Sequence, residues 1–238
     1  QRLDFLRRRE LAAEREKSDS LLYHLLPQQI ANRLRDGQTQ IAEMVPEVTV
    51  LFADLSGFTS VSMQLRPVET IALLNRLFAD FDQLAVQHRV EKIVTTGDGF
   101  IAVGGVPVWR EDHARAVADL ALDMQAAAAR VSSELDRSLS IRIGVHTGGP
   151  VVAGVIGTTK YLYSIVGDAM NTASRMESHG LPGAIQVSEA TRQRLADDYL
   201  FEDRGVLDVK SKGPMQVYLL TGRAPEAGAT ALPAPLTA

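Results

Sequence analysis

Apolar and β-branched residues fall into short runs and helical stripes that alternate through the middle of the chain. Val48–Asp54 (VTVLFAD), Glu91–Gly97, Phe100–Val103 and Ser140–His146 are rich enough in such residues to be strands. Between them, Pro67–Gln87 places Ile71, Leu74, Phe78, Phe81 and Ala85 in one helical stripe, and Arg110–Val131 carries a second helical pattern. Asp98-Gly99 is a hairpin-turn signal between two of the strands. The order β, α, β, β, α, β predicts an α+β domain with a ferredoxin-like core, the split βαβ arrangement. Further on, Gly167–Glu177 and a Ser188-capped helix over Glu189–Ala196 interleave with short strands that end near Leu220.

The N-terminal stretch reads differently. Residues 1–36 lack glycine, and their apolar positions, Leu3, Leu6, Leu11, Leu21, Leu22, Leu25 and Leu26, predict a helix interrupted at Pro27. A strict heptad from Leu3 and Leu6 would put Glu10 and Lys17 on its seam, so a coiled coil and a solvated helix both fit. The expected organisation is a signalling and dimerisation helix with a transducer segment over 1–45, a catalytic domain over 46–223, and a disordered Ala/Pro-rich tail over 224–238. The chain starts inside a helix without an initiator Met, as a piece of a longer protein with something upstream would.

Composition narrows the classes. The chain has 238 residues, 45% of them apolar, enough for one substantial core with appendages. Its net charge is -4 and its basic residues are dispersed beyond residue 17, which argues against a nucleic-acid groove. The absence of cysteine excludes disulfides and thiolate chemistry and fits a cytoplasmic compartment. No apolar run approaches the ~20 residues a membrane helix needs. Arg7, Arg8 and Arg9 suit a solvated helix face or a position beside a membrane or upstream domain.

Chemistry concentrates where two of the strand-like runs end, at Asp54 and Asp98, each close to a glycine. Asp54 alone reads as a helix N-cap and Asp98 alone as a turn residue. Paired on adjacent buried strands, they need cations or several N–H donors to offset the cost of burying carboxylates, which points to a two-metal site. His24, His88, His113, His146 and His179 show neither metal-ligand spacing nor a nucleophile arrangement.

LFADLSGFT (51–59), TTGDGF (95–100), IRIGVHTGG (141–149), VGDAMNTASRMES (166–178) and VKSKGPMQVY (209–218) together resemble the motif set of the class III nucleotide cyclase catalytic domain. LLPQQIANRL (25–34) resembles the helix that precedes such domains and transmits signals to them. The likeness runs from about Leu21 to Gly222, in order and at family spacing.

The resemblance implies attack of a ribose 3′-hydroxyl on the α-phosphate of ATP, giving 3′,5′-cyclic AMP and pyrophosphate. Asp54 and Asp98 would hold two divalent cations, Mg²⁺ or Mn²⁺, with the Leu55 carbonyl as a further ligand. Backbone N–H groups of Ser56, Gly57, Phe58 and Thr59 would cradle the β- and γ-phosphates at a helix start. Asn171 would orient the ribose, and Arg175 would stabilise charge on the α-phosphate. Lys210 would hold the terminal phosphates, with Lys212 as a second candidate. Because the family draws the aspartates and the Asn/Arg pair from opposite subunits, a head-to-tail homodimer with shared sites is implied.

Base selection departs from the family pattern. Adenylyl cyclases usually carry Lys where this chain has Val94 and Asp or Thr where it has Ser164, and guanylyl cyclases usually carry Glu at the first position. Ser164 can donate and accept, whereas Val94 makes no hydrogen bond. Strict strand alternation would put Lys92, Val94, Thr96 and Asp98 on one face, so Lys92 or Thr96 could partly substitute. ATP is the first expectation because the frame resembles bacterial adenylyl cyclases; relaxed selection among GTP and pyrimidine nucleotides and a weakly active regulatory domain are the alternatives. The diguanylate cyclase signature is absent, since Gly104-Gly105 is followed by Val106-Pro107.

Overall fold

The computed structural model describes residues 21–135 and 139–225. The predicted helix over 1–20 and most of the predicted tail lie outside the described residues. Among the described residues, sixteen elements follow in chain order. They are α1 (Gln28–Arg35), β1 (Ala42–Val45), β2 (Val48–Ser56), α2 (Phe58–Met63), α3 (Pro67–His88), β3 (Glu91–Thr96), β4 (Gly99–Gly104) and α4 (His113–Glu134), then β5 (Ser140–Gly148), β6 (Val151–Ile156), β7 (Leu162–Val166), α5 (Asp168–Ser178), β8 (Ile185–Ser188), α6 (Glu189–Leu195), β9 (Tyr199–Val209) and β10 (Gly213–Arg223).

The seven-stranded sheet runs β3-β4-β2-β5-β8-β10-β9, and its first four strands with α3 and α4 form the expected ferredoxin-like core. A second sheet, β1-β6-β7, has no counterpart in the sequence reading. The two faces of the main sheet follow from strand alternation in β2. Leu51, Ala53 and Leu55 enter the core beneath α3 and α4, whereas Val48 and Val50 pack on the other face with α1, α5 and the small sheet. Leu26, Ile30, Ala31 and Ile41 share that second core, so packing is continuous across position 45. Pro27 stands at the N-cap of α1, where its fixed φ suits a helix start.

Two sequence details change. The stripe that α3 buries is Leu73, Leu77, Phe81 and Ala85, with Leu74 and Phe78 partly covered and Ile71 58% exposed. The selected residues Phe78, Phe81 and Phe100 meet as an aromatic cluster, with Phe81 edge-on to Phe100 at 5.7 Å. The β3–β4 turn is centred on Gly97-Asp98 rather than Asp98-Gly99, because Gly97 supplies φ +64 and Thr96 pairs with Gly99.

Helix α5 lies directly on β5. A Cβ on Gly144 would stand 1.9 Å from the backbone nitrogen of Glu177, so only glycine admits this approach. The contact brings the end of α5 beside the middle of the main sheet.

Candidate active site

Directly paired residues on antiparallel strands share a face, and the register places Thr96, Gly99, Asp54 and Arg142 in one row on the face that carries α5. Asp98, in the turn beside Gly99, adds a second carboxylate. Burial raises the Asp54 pKa above the ordinary carboxylate value, Asp98 raises it further, and Arg142 acts in the opposite direction. Arg142 donates from Nη2 to Asp54 Oδ2 at 3.4 Å and from Nε to Glu177 Oε1 at 2.6 Å. Glu177 is also held above its usual pKa, because burial and the two aspartates outweigh the shorter Arg142 contact.

Two half-buried carboxylates that repel one another form a site whose ionised state a divalent cation would stabilise. Asp54 is not a helix cap: it lies inside β2, and Gly57 at φ +83 occupies the N-cap of α2 without a side-chain bond. Ser56 Oγ is buried with no hydrogen-bond partner. An orphaned hydroxyl two residues along β2 from Asp54, on the same strand face, fits a position completed by a cation or phosphate oxygen. Phe58 and Thr59 begin α2, where first-turn N–H groups have no intrahelical acceptor. Leu55 is buried with its side chain under α3 and α4, which leaves its carbonyl as its polar contribution.

The other candidates stand apart. Helix α5 buries Ala169, Thr172, Ala173 and Met176 and carries Asn171 and Arg175 on the opposite stripe. Neither side chain has a hydrogen bond or ion pair among the described residues, and neither contributes to the Asp54 shift. Lys210 is exposed in the β9–β10 turn, while Lys212, two residues on, pairs with Asp168 in the first turn of α5. Among the described residues, the two groups of candidates make no hydrogen bond or ion pair with each other.

Residues 41–222 match the family model of the adenylate and guanylate cyclase catalytic domain. The chain belongs to this class III cyclase family. An adenylate cyclase of Mycobacterium tuberculosis is 43% identical over 214 residues, 90% of this chain and 48% of that protein. The rat soluble guanylate cyclase subunit beta-2 is 41% identical over 212 residues, 88% of this chain and 31% of that protein. The guanylate cyclase domain from Catenaria anguillulae, solved in complex with GTP, superposes with a TM-score of 0.73 at 36% identity, covering 76% of this chain and all of that one. The chain thus spans about half or less of these curated relatives.

Within the cyclase domain, the expected compensation by Lys92 fails for a structural reason. The β3–β4 register shifts between Lys92 and Val94, leaving Ile93 as an extra residue that breaks the alternation. Lys92 pairs with Ala102 on the α3 side, bonds Asp82 at 2.7 Å and lies over the Phe100 ring. Val94 pairs with Ile101, which pairs with Phe52, on the same face as Asp54. Thr96 keeps that face, at the exposed end of β3. Ser164 lies in β7 opposite Gly154.

Arg142 and Glu177 were absent from the candidate set. Their motifs were recognised, but they lie 35 residues apart and meet only because α5 lies against Gly144. A usable hint was the spacing in IRIGVH, which puts Arg142 and Gly144 on one strand face.

Proposed function

We propose that this cyclase domain, as a head-to-tail homodimer, converts ATP into 3′,5′-cyclic AMP and pyrophosphate at two sites shared between copies. The observation that carries this reading is the division within one chain: Asp54 and Asp98 together on one surface, Asn171 and Arg175 on another and without a side-chain partner among the described residues. The outer face of the small sheet supports a second copy as the partner. Met44, Val152, Ile156, Leu162 and Val166 are all more than 40% exposed there, in register with Ser164, so the base-reading candidate stands on an uncovered apolar surface.

The division of labour follows from the chemistry each group permits. Asp54, Asp98 and the Leu55 carbonyl would hold two divalent cations, Mg²⁺ or Mn²⁺, which when bound act as Lewis acids on phosphate oxygens and acidify the 3′-hydroxyl. Ser56, Gly57, Phe58 and Thr59 offer N–H groups and a hydroxyl to the terminal phosphates. From the second copy, Asn171 orients the ribose, Arg175 meets the charge that accumulates on the α-phosphate, and Lys210 binds the terminal phosphates. Val94, Thr96 and Ser164 face the base. With Lys92 turned to α3, selection for ATP rests on Ser164 and pocket shape, and discrimination against other bases is weak.

In the longer protein, an upstream sensor would act through the N-terminal helix on a cytoplasmic cyclase dimer. No helix among the described residues is long and apolar enough to cross a membrane.

The test is incubation with Mn²⁺ and, separately, ATP, GTP, CTP and UTP, with products identified by mass. Cyclic AMP as the main product supports the reading, and no cyclic product from any of the four overturns it. Mixing Asp54→Asn with Arg175→Ala protein should restore activity through one intact shared site, and failure to complement would exclude the shared arrangement.

A further inference from the structure

A second polar constellation begins at the other end of β5. Thr49, Thr147, Thr191, Ser188 and His113 are each at most 2% exposed, yet they form one hydrogen-bonded chain. His113 Nδ1 meets Thr49 Oγ1 at 2.8 Å, Thr49 meets Thr147 at 2.8 Å, and Thr191 donates to Thr147 at 3.2 Å. Thr191 meets Ser188 Oγ at 3.2 Å, and Ser188 Oγ meets His146 Nδ1 at 2.7 Å.

Each hydroxyl has one hydrogen, so a single charge at one end fixes every direction. That charge is Glu47, whose carboxylate lies 3.4 Å from His113 Nε2 and also pairs with Arg194. A carboxylate there requires Nε2–H, which leaves His113 Nδ1 as an acceptor. Thr49 must then donate to His113 and accept from Thr147. Thr147 has spent its hydrogen and accepts from Thr191. Thr191 in turn accepts from Ser188, whose oxygen is left to accept from His146 and from the Thr191 N–H. The reverse order would also use every hydroxyl hydrogen, but it would set the Nε2 lone pair of His113 against the Glu47 carboxylate.

From this direction, we infer that the hydroxyl chain locks His146 as its Nδ1–H tautomer, leaves Nε2 as an acceptor, and makes His146 a positioning residue for the β9–β10 turn through the field of the Lys212–Asp168 pair. Lys212 and Asp168 are the charges that act on His146, and Lys212 anchors the turn to the first turn of α5. That turn carries Lys210, and α5 carries Asn171 and Arg175. His146 touches no substrate; it acts through Lys212 on the half-site that would receive the triphosphate. The consequence for substrate rests on the cyclase reading, whereas the tautomer does not.

Long-range ¹H–¹⁵N spectra of the dimer, with His146→Gln for assignment, read the tautomers directly. Nδ1–H at His146 and Nε2–H at His113 are expected. Thr147→Val, which keeps shape and removes the hydroxyl, should give mixed His146 tautomers. It should also weaken binding of a non-hydrolysable ATP analogue with Mn²⁺ by about 3- to 10-fold, with kcat changed less than KM and Thr147→Ser restoring both. Should Thr147→Val fail to fold, Thr49→Val cuts the same chain one hydroxyl further from His146 and must give the same pair of changes. An Nε2–H His146 in the wild type, or a changed tautomer with unchanged analogue affinity, overturns the inference. A protein that shows the expected tautomers and analogue binding but makes no cyclic product would instead overturn the cyclase reading.

Discussion

The two ends of β5 solve the problem of buried polarity in opposite ways. At the Arg142 end, charged groups outnumber their counter-charge: Asp54 and Glu177 share one guanidinium, Asp98 adds a further negative charge, and Asp54 and Glu177 are pushed above their normal pKa. At the His146 end, five buried side chains satisfy one another without net charge, and burial pushes the His146 pKa down to about 4. A buried site can remain undercompensated when a ligand completes it; a purely structural network must close on itself. The comparison therefore separates a place where a cation and phosphates are expected from one that orders the scaffold.

The largest effect that could break this contrast is at Asp54. Asp54→Asn should lower cyclisation by at least ~10³-fold and abolish any rise in the thermal midpoint with Mn²⁺. If the midpoint still rises as in the wild type, the carboxylates are not the cation site.

Glu91 provides an intermediate case: a partly buried carboxylate whose pKa burial alone raises to about 7. The folded state then binds the proton more tightly than the unfolded chain, so stability is greatest below about 4.5 and is lost as pH rises to about 7. Glu91→Gln should remove about 3 kcal/mol of that pH-dependent loss, measured as the difference between the two stability curves. Parallel curves would mean that Glu91 is solvated in solution.

Arg142→Ala should cost about 2 kcal/mol in metal-free protein, since it leaves Glu177 and Asp54 without their cation. Added Mn²⁺ should recover more of the midpoint in this variant than in the wild type; equal recovery would show that Arg142 does not compensate Asp54. The smallest change belongs to the closed network, where Thr49→Val should cost about 1 to 2 kcal/mol with no dependence on divalent cation. A cation-dependent loss there would merge the two regions into one.

The chain order of the core was legible because buried strands and amphipathic helices carry different periods, and Asp54 and Asp98 were legible because they interrupt apolar runs. What escaped depends on contacts rather than on local pattern. β1 and β6 gave no pattern of their own and gain their buried faces only when Val45, Val151 and Ala153 pack on the second core. Arg142 with Glu177 required the α5–β5 approach at Gly144. The two histidines were read as bland because nothing in the spacing of His113 and His146 reveals the hydroxyls between them.

The extra residue at Ile93 carries a consequence for how this domain can diverge. By turning Lys92 inward, it frees position 94 from any part in holding α3: Val94 belongs to neither apolar cluster. The strand therefore offers an adjustable position whose replacement leaves the Asp82–Lys92 anchor intact. On the proposed reading, in which Val94 faces the base, nucleotide preference could drift at this position on a fold that does not feel the change.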